Sequence, residues 1–436
     1  MMKNYIDIDE RLPILQTIPL SFQHLFAMFG ATILVPILFG INPAIALLMN
    51  GIGTLIYSFI TRGKIPAYLG SSFAFLAPTF AILAGGGGFG EAQVGFIFFG
   101  VFFVIISIVI RFVGIKWIDV IMPPPVMGAV VAVIGLELAP TAAQMAGLAA
   151  APTAVGKVVQ AYTADPKVIT VSLFTLLVGT IGSVVFRKFF KIIPILIGVL
   201  SGYVLALFMG MVDFKPIIDA PWFKLPTFTA PIFNTKAMII IAPACLVVLA
   251  EHISHLIVTG NITNRDLIKD PGLHVSLFAD GLSNIISGFA GSPPNTTYGE
   301  NIGVMAITKV YSVWVIRGAA ILAIIFSCIG KIAAAIQTIP SPVMGGITIL
   351  LYGVIASSGL RMFVEQKVDF SKSYNMVLAA VTFVVGVSGA TIKLSSDVEL
   401  KGMALAAVIG TLLSIVFYIL DKLGLMNEKY IIKSEE

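Results

Sequence analysis

The chain has 436 residues, 58% hydrophobic and only 11% charged, with a mean hydropathy of +1.01. Soluble domains carry about 25% charged residues, so a soluble enzyme or binding module is excluded and an integral membrane protein with little outside the bilayer remains. The net charge of +5 needs no nucleic acid, since basic loops orient membrane helices, and Cys245 and Cys328 both lie in apolar runs, which argues against a disulfide scaffold or a cysteine metal site.

No cleavable leader is expected, because residues 1–11 are polar and the first apolar run is long enough to span. At about 20 residues per crossing, the apolar pattern predicts fourteen segments. In the first half they are residues 19–39, 43–61, 65–84, 94–113, 123–140, 168–186 and 192–211. In the second half they are 237–262, 274–290, 296–308, 310–336, 342–363, 376–390 and 403–420. With both termini cytoplasmic, most of the 27 lysines and arginines fall inside, among them Arg62, Lys64, Arg111, Lys116, Arg265 and Arg361. The outside ones lie in long connections or at segment edges, where the orientation rule is weakest, and Arg317 and Lys331 fall within the eleventh segment.

Two segments are interrupted. Residues 292–309 hold Pro293, Pro294, the helix-breaking Gly299 and the carboxylate of Glu300, and the third segment breaks at Gly70-Ser71-Ser72-Phe73. Irregular backbone at membrane depth is tolerated only where it is packed in protein or lines a cavity, and broken segments point to a transporter's binding site. A repeat accompanies them. Pro125-Val126-Met127-Gly128 recurs half a chain later as Pro342-Val343-Met344-Gly345, and Gln23-His24 answers to Glu251-His252. Seven spans per half is an odd number, so the second half must run the opposite way, which is the inverted-repeat plan with its site at the midplane.

Ionisable groups within spans are costly and mark function. They are Glu251, His252 and His255, Glu300, His24, Glu137, Asp280 and Arg317. Glu251 and His255 are four residues apart on one helical face, and a carboxylate beside an imidazole suits proton coupling. His252 points away and is expected to be structural. Arg317 is expected to neutralise a carboxylate, while Glu137 and Asp280 fit either helix packing or a moving interface. The E-H-I-S-H stretch has the wrong order for a zinc-binding H-E-x-x-H helix, and residues 85–88 form a glycine run without the Lys-Ser/Thr of a phosphate loop. Ionised carboxylates only accept hydrogen bonds, so Glu251 and Glu300 favour a cation or a neutral ligand rich in N–H groups. Backbone N–H groups near Phe73 and Gly299 can donate to carbonyls, and Phe73 and Tyr352 offer flat walls. A nucleobase such as uracil has both kinds of group on one ring.

At these residues the chain resembles the nucleobase–ascorbate (nucleobase:cation symporter-2) family. The family signature stands as Glu300-Asn301-Ile302-Gly303 through Thr308-Lys309, and Gln23-His24 matches its first-segment motif. Similarity runs over nearly the whole chain and is greatest to the family's bacterial uracil transporters, through stretches such as I-P-A-Y-L-G-S-S-F-A-F and N-T-T-Y-G-E-N-I-G-V-M-A-I-T. The resemblance implies an all-α polytopic membrane protein of fourteen spans in a seven-plus-seven inverted repeat, with short extended strands in segments 3 and 10. It implies a core domain from residues 1–120 and 236–338, and a gate domain from 121–235 and 339–436. Glu251 and Glu300 would bind uracil, backbone near Phe73 and Gly299 would complete the polar contacts, and Ala31, Tyr298 and Tyr352 would line the pocket. His255, with Glu251, would support proton coupling.

The expectation is therefore a proton-coupled uracil symporter of the bacterial inner membrane. It would be no enzyme and would use no cofactor beyond the proton gradient; its partners would be uracil, protons, membrane lipid and a second copy in a homodimer. Two rivals stand beside it: a carrier of xanthine, urate or an inorganic anion with the same architecture, and an intramembrane metalloenzyme using the E-H-I-S-H helix. Two carboxylates at the site argue against the anion.

Overall fold

The computed structural model describes residues 5–150, 165–187, 190–191, 193–394 and 399–428. Proline and glycine punctuate a mostly helical chain. Helix α1 (Ile14–Ala27) runs into α2 (Phe29–Leu38), and α3 (Pro43–Ile60) starts on Pro43 with the Asn42 side chain accepting from the Ala44 N–H at 2.9 Å, a helix-start arrangement that satisfies an orphan donor. Pro66 then bars a helix, and strand β1 (Leu69–Ser71) is followed by a tight turn at Phe73–Phe75 and the short α4 (Leu76–Ala84). Next come α5 (Phe89–Val113), α6 (Lys116–Ile121), α7 (Pro124–Met145), α8 (Pro166–Val185), α9 (Pro194–Phe208) and α10 (Lys215–Asp219).

The second half opens with α11 (Thr235–Thr263), capped by Asn234, and α12 (Leu273–Ala290). Pro293 and Pro294 precede strand β2 (Asn295–Thr297), which gives way to α13 (Gly299–Thr308). There follow α14 (Val313–Ser327), α15 (Gly330–Gln337), α16 (Ser341–Glu365) and α17 (Ser373–Val387). A hairpin of β3 (Thr391–Lys393) and β4 (Glu399–Lys401) precedes α18 (Gly402–Lys422).

Eight helices among the described residues are long and apolar enough to cross a membrane: Ile14–Leu38, α3, α5, α7, α8, α11, α16 and α18. Other expected segments are shorter apolar helices, among them Phe73–Ala84, α9, α14 and α17. The two interrupted segments do contain strands. β1 and β2 pair antiparallel, with Leu69 opposite Thr297 and Ser71 opposite Asn295. The pairing continues at both ends, where Tyr298 N–H donates to Tyr68 O at 3.0 Å and Ser72 N–H to Pro294 O at 2.9 Å. Neither strand could stand alone in an apolar surrounding, since each exposes backbone groups that the other satisfies.

Two seams organise the packing. At one, α7 lies antiparallel on α16 at backbone distance. A Cβ at Gly135 would fall 2.2 Å from Tyr352 O, one at Gly359 would fall 2.3 Å from Ala132 N, and one at Gly345 would fall 2.3 Å from Ala146 N. The repeated Pro-Val-Met-Gly stretches begin these two helices. At the other, the β1–β2 crossing is flanked by α3, α11 and α12. The largest buried apolar cluster joins Phe75, Phe96, Phe99 and Phe103 to Val247 and Val248 of α11, and to Tyr352 and Met403.

Candidate functional site

Both broken segments place a helix start beside the crossing strands. At a helix start the first backbone N–H groups have no partner within the helix, so the residues from Phe73 and from Gly299 bring free donors and the positive end of a helix dipole to one place. Glu300 sits in the first turn of α13, where that dipole favours a carboxylate.

A cavity of about 310 Å³ opens there, within the range of small-molecule sites. The inner part is lined by Ser72, Phe73, Glu251, His255, Tyr298 and Glu300. Of the residues expected at the site, Glu251, Glu300, Phe73, Gly299, Tyr298 and His255 all line this one cavity. Tyr352 does not. It packs edge-on against the Phe73 ring, with centroids 6.1 Å apart, and is 2% exposed. Ala31 belongs to α2, but its side chain lies outside the described residues.

Each lining group is held by something specific. His255 Nδ1 lies 3.1 Å from Thr297 Oγ1 of β2. A Cβ at Gly299 would fall 3.1 Å from His255 Nε2, so glycine is what lets the imidazole come this close to the start of α13. Tyr298 uses its hydroxyl to donate to Ser71 O at 2.7 Å, and its ring fills the space above Gly70, where a Cβ would meet it at 2.2 Å. The signature residue Asn301 donates from Nδ2 to His24 O at 3.3 Å, with His24 Nδ1 at 3.0 Å. The first-segment motif and the signature therefore meet, joining α1 to α13.

The remaining ionisable groups separate from the site. His252 Nε2 is 2.7 Å from Ser276 Oγ and its Nδ1 is 2.9 Å from Asp280 Oδ2, with both side chains fully buried. Tyr57 reaches the same serine at 2.6 Å. Asp280 also accepts from Asn284 Nδ2 at 2.9 Å, and Asn284 clips β2 by bonding both the N–H and the O of Asn295. This run of bonds fixes β2 against α11 and α12, the structural part expected of His252. Glu137 accepts from the Met403 N–H at 2.8 Å, at the start of α18. The expectation for Arg317 is corrected: its guanidinium donates to Ser58 Oγ at 2.8 Å and lies over the Trp314 ring, and it does not line the cavity with the two glutamates. Ser58 and Trp314 are its neighbours in place of the carboxylates.

Several lining residues escaped the sequence reading. Ser72 Oγ and Thr296 Oγ1 are buried beside the strands without a hydrogen-bond partner among the described residues. Ser358, Arg361 and Glu365 of α16 carry the cavity out to the surface, with Arg361 Nε 2.7 Å from Glu365 Oε1. Adjacency to the breaks at Gly70 and Gly299 is the signal that could have found the first two. Among the described residues, no group of three or more His, Cys, Asp or Glu could hold a metal ion.

A family model, described as "Permease family" (Xan_ur_permease), matches residues 15–395. The chain belongs to this family. It is a multi-pass membrane transporter and not an enzyme, which removes the metalloenzyme alternative. The chain is 57% identical over 428 residues to a protein of Paenibacillus larvae subsp. larvae named uracil permease, covering 98% of this chain and all of that one. It is 58% identical over 423 residues to the uracil permease of Escherichia coli strain K12, at 97% and 96% coverage, and 46% identical to that of Bacillus subtilis strain 168, at 91% of each. Among solved structures, the transmembrane domain of the cyanobacterial bicarbonate transporter BicA has a TM-score of 0.65 at 16% identity, covering 94% of this chain and 99% of that one. SLC26A9 has a TM-score of 0.69 at 12% identity, covering 96% of this chain and 66% of that one. At such identities these two share the fold and nothing more is taken from them.

Proposed function

We propose that this permease imports uracil across the bacterial inner membrane together with protons. The observation that carries the reading is the convergence of two carboxylates, Glu251 from α11 and Glu300 from α13, on one cavity at the starts of two broken helices. Uracil would present its N–H groups to the carboxylates and its carbonyls to the free backbone donors near Phe73 and Gly299, with the Phe73 ring as a flat wall. Relatives named uracil permease at 45–58% identity support the substrate. An anion, such as the bicarbonate for which BicA is named a transporter, would meet two negative groups here.

Proton coupling is assigned to Glu251 and His255. A buried carboxylate without a partner is strongly disfavoured, so proton and substrate each favour closure around the other. The transport cycle would move a core (residues 1–120 and 236–338) against a gate (121–235 and 339–436) along the α7–α16 side of the cavity. The helix contacts support that division, and with it fourteen spans in an inverted repeat: α3 packs on α14 as α12 packs on α5, and α8 on α9 as α17 on α18. With both termini cytoplasmic, the cavity that reaches the surface at the exposed Gly303, Ala306, Ser358 and Arg361 would open inward. Lipid would surround the chain, and a homodimer belongs to the same proposal.

The test is uptake of labelled uracil into proteoliposomes, with and without an imposed proton gradient. Gradient-dependent uptake competed by cold uracil and not by xanthine is expected. Xanthine uptake in its place would move the chain to the purine branch. In Glu300→Ala, loss of a charged hydrogen bond should lower uptake at low uracil about 100-fold; wild-type uptake would sink the assignment of roles.

A further inference from the structure

Residues 5–11 precede the first helix and form a strap that ends on both site helices. The Ile6 N–H donates to Lys309 O at 2.9 Å, the Tyr311 N–H to Ile6 O at 2.9 Å, and the Val313 N–H to Ile8 O at 2.9 Å. Lys309 closes α13 in a left-handed conformation, with φ of 57°, and its carbonyl would otherwise be among the unpaired groups of a helix end. Ser312 Oγ donates to Glu10 O at 2.6 Å, and the Arg11 guanidinium lies 3.7 Å over the Trp314 ring. The other attachment is ionic. Arg265, just beyond the end of α11, reaches Asp7 at 2.9 Å and Asp9 at 3.2 Å. One short segment thus holds the far end of the helix carrying Glu251 and the far end of the helix carrying Glu300.

The apolar contact goes further than a tether. Ile8 is fully buried in one apolar cluster with Ile302 and Met305 of α13, and Val258 and Ile262 of α11 pack against that cluster. Ile302, Val258 and Ile262 also line the transport cavity. Ile8 therefore belongs to the cluster that joins three of its wall residues. A ten-residue helix has little rigidity of its own, and α13 is fixed at one end by β2 and at the other by this strap.

We propose that residues 5–11, through Ile8 and the Arg265–Asp7–Asp9 contact, are a positioning element for the transport site that sets how α13 carries Glu300 relative to Glu251 on α11. This deepens the reading above, since it rests on that cavity being the substrate site. The strap touches no substrate, so its removal should weaken binding more than turnover.

The experiment uses the full chain in proteoliposomes, comparing wild type with Ile8→Ala, Ile8→Leu and Arg265→Ala. Coupling through packed contacts at this remove predicts a rise in uracil KM of about three- to tenfold for Ile8→Ala and Arg265→Ala. Maximal uptake per folded transporter should stay within about twofold of wild type, and Ile8→Leu should restore KM. A purely structural strap would lower the amount of active protein and leave KM unchanged, and that result overturns the proposal. Hydrogen exchange adds a readout free of substrate: in Ile8→Ala, amides of residues 299–308 should exchange faster while those of 273–290 do not. If wild type takes up no uracil, the functional reading falls, and the exchange result alone decides the strap. Unchanged exchange at 299–308 removes it.

Discussion

Two antiparallel joints tie the halves of this chain, and they are made of opposite materials. The α7–α16 seam is glycine against backbone, with Gly135, Gly345 and Gly359 each leaving no room for a methyl group. The β1–β2 crossing is a lattice of hydrogen bonds, extended by Asn284, Ser283 and Tyr298. Shape holds the first and directional bonds hold the second. Packed helix faces tolerate small slides, whereas a hydrogen-bonded strand pair moves only by breaking bonds. The cavity lies between the two, lined by Ser71, Ser72 and Thr296 of the crossing and by Val131, Ile134 and Val354 of the seam helices, so the proposed core–gate movement would carry the second wall past the first.

That contrast can be broken from either side. The largest effect is expected at the polar joint. His252→Ala would leave Asp280 buried beside an empty partner, a change that costs about 3–5 kcal/mol when a buried pair loses one member, and thermal inactivation of purified protein should show it. Removing both in His252→Ala/Asp280→Ala should recover part of the loss, and a double variant no better than the single would argue that the pair is not what secures β2. At the seam, Gly135→Leu forces backbone apart for an overpacking cost of about 1–3 kcal/mol or more. Its signature should be poor recovery of monodisperse protein; normal recovery with normal uptake would mean that the helices separate there at no penalty. Smallest is Gly299→Ala. The new methyl would press the His255 ring by a few tenths of an ångström, and uracil KM should rise about two- to threefold. An unchanged KM would show that the imidazole can retreat freely and that its position is not tightly set.

The sequence made some of this legible and left other parts dark, for identifiable reasons. Glu251, His255 and Glu300 stand out because an ionisable group in an apolar run has no ordinary reason to be there. Leu69-Gly70-Ser71 and Asn295-Thr296-Thr297 have no strand periodicity to speak of. The prolines before them announce a break, and only resemblance supplies the word strand. The partners of His252 and Arg317 could not be read at all, because Ser276, Asp280, Ser58 and Trp314 meet them through helix packing that no local pattern encodes. Tyr352 was legible as an aromatic near the cavity and illegible as one that spends its ring on Phe73. Span length proved the weakest guide: the apolar pattern predicts crossings at 192–211, 310–336 and 376–390, and the helices there, α9, α14 and α17, have 15 residues each.

The crossing strands also say something about how this protein is made. Ser71 O waits for the hydroxyl of Tyr298, 227 positions later, and β1 finds its backbone partner only when β2 has left the ribosome. Until then Thr54 Oγ1 meets the N–H and O of Leu69, and the strand bonds that β2 supplies are still missing. A nascent chain that holds β1 alone therefore lacks those strand bonds until residues 295–297 are made. A chain that stops between residues 72 and 295 would hold β1 without β2.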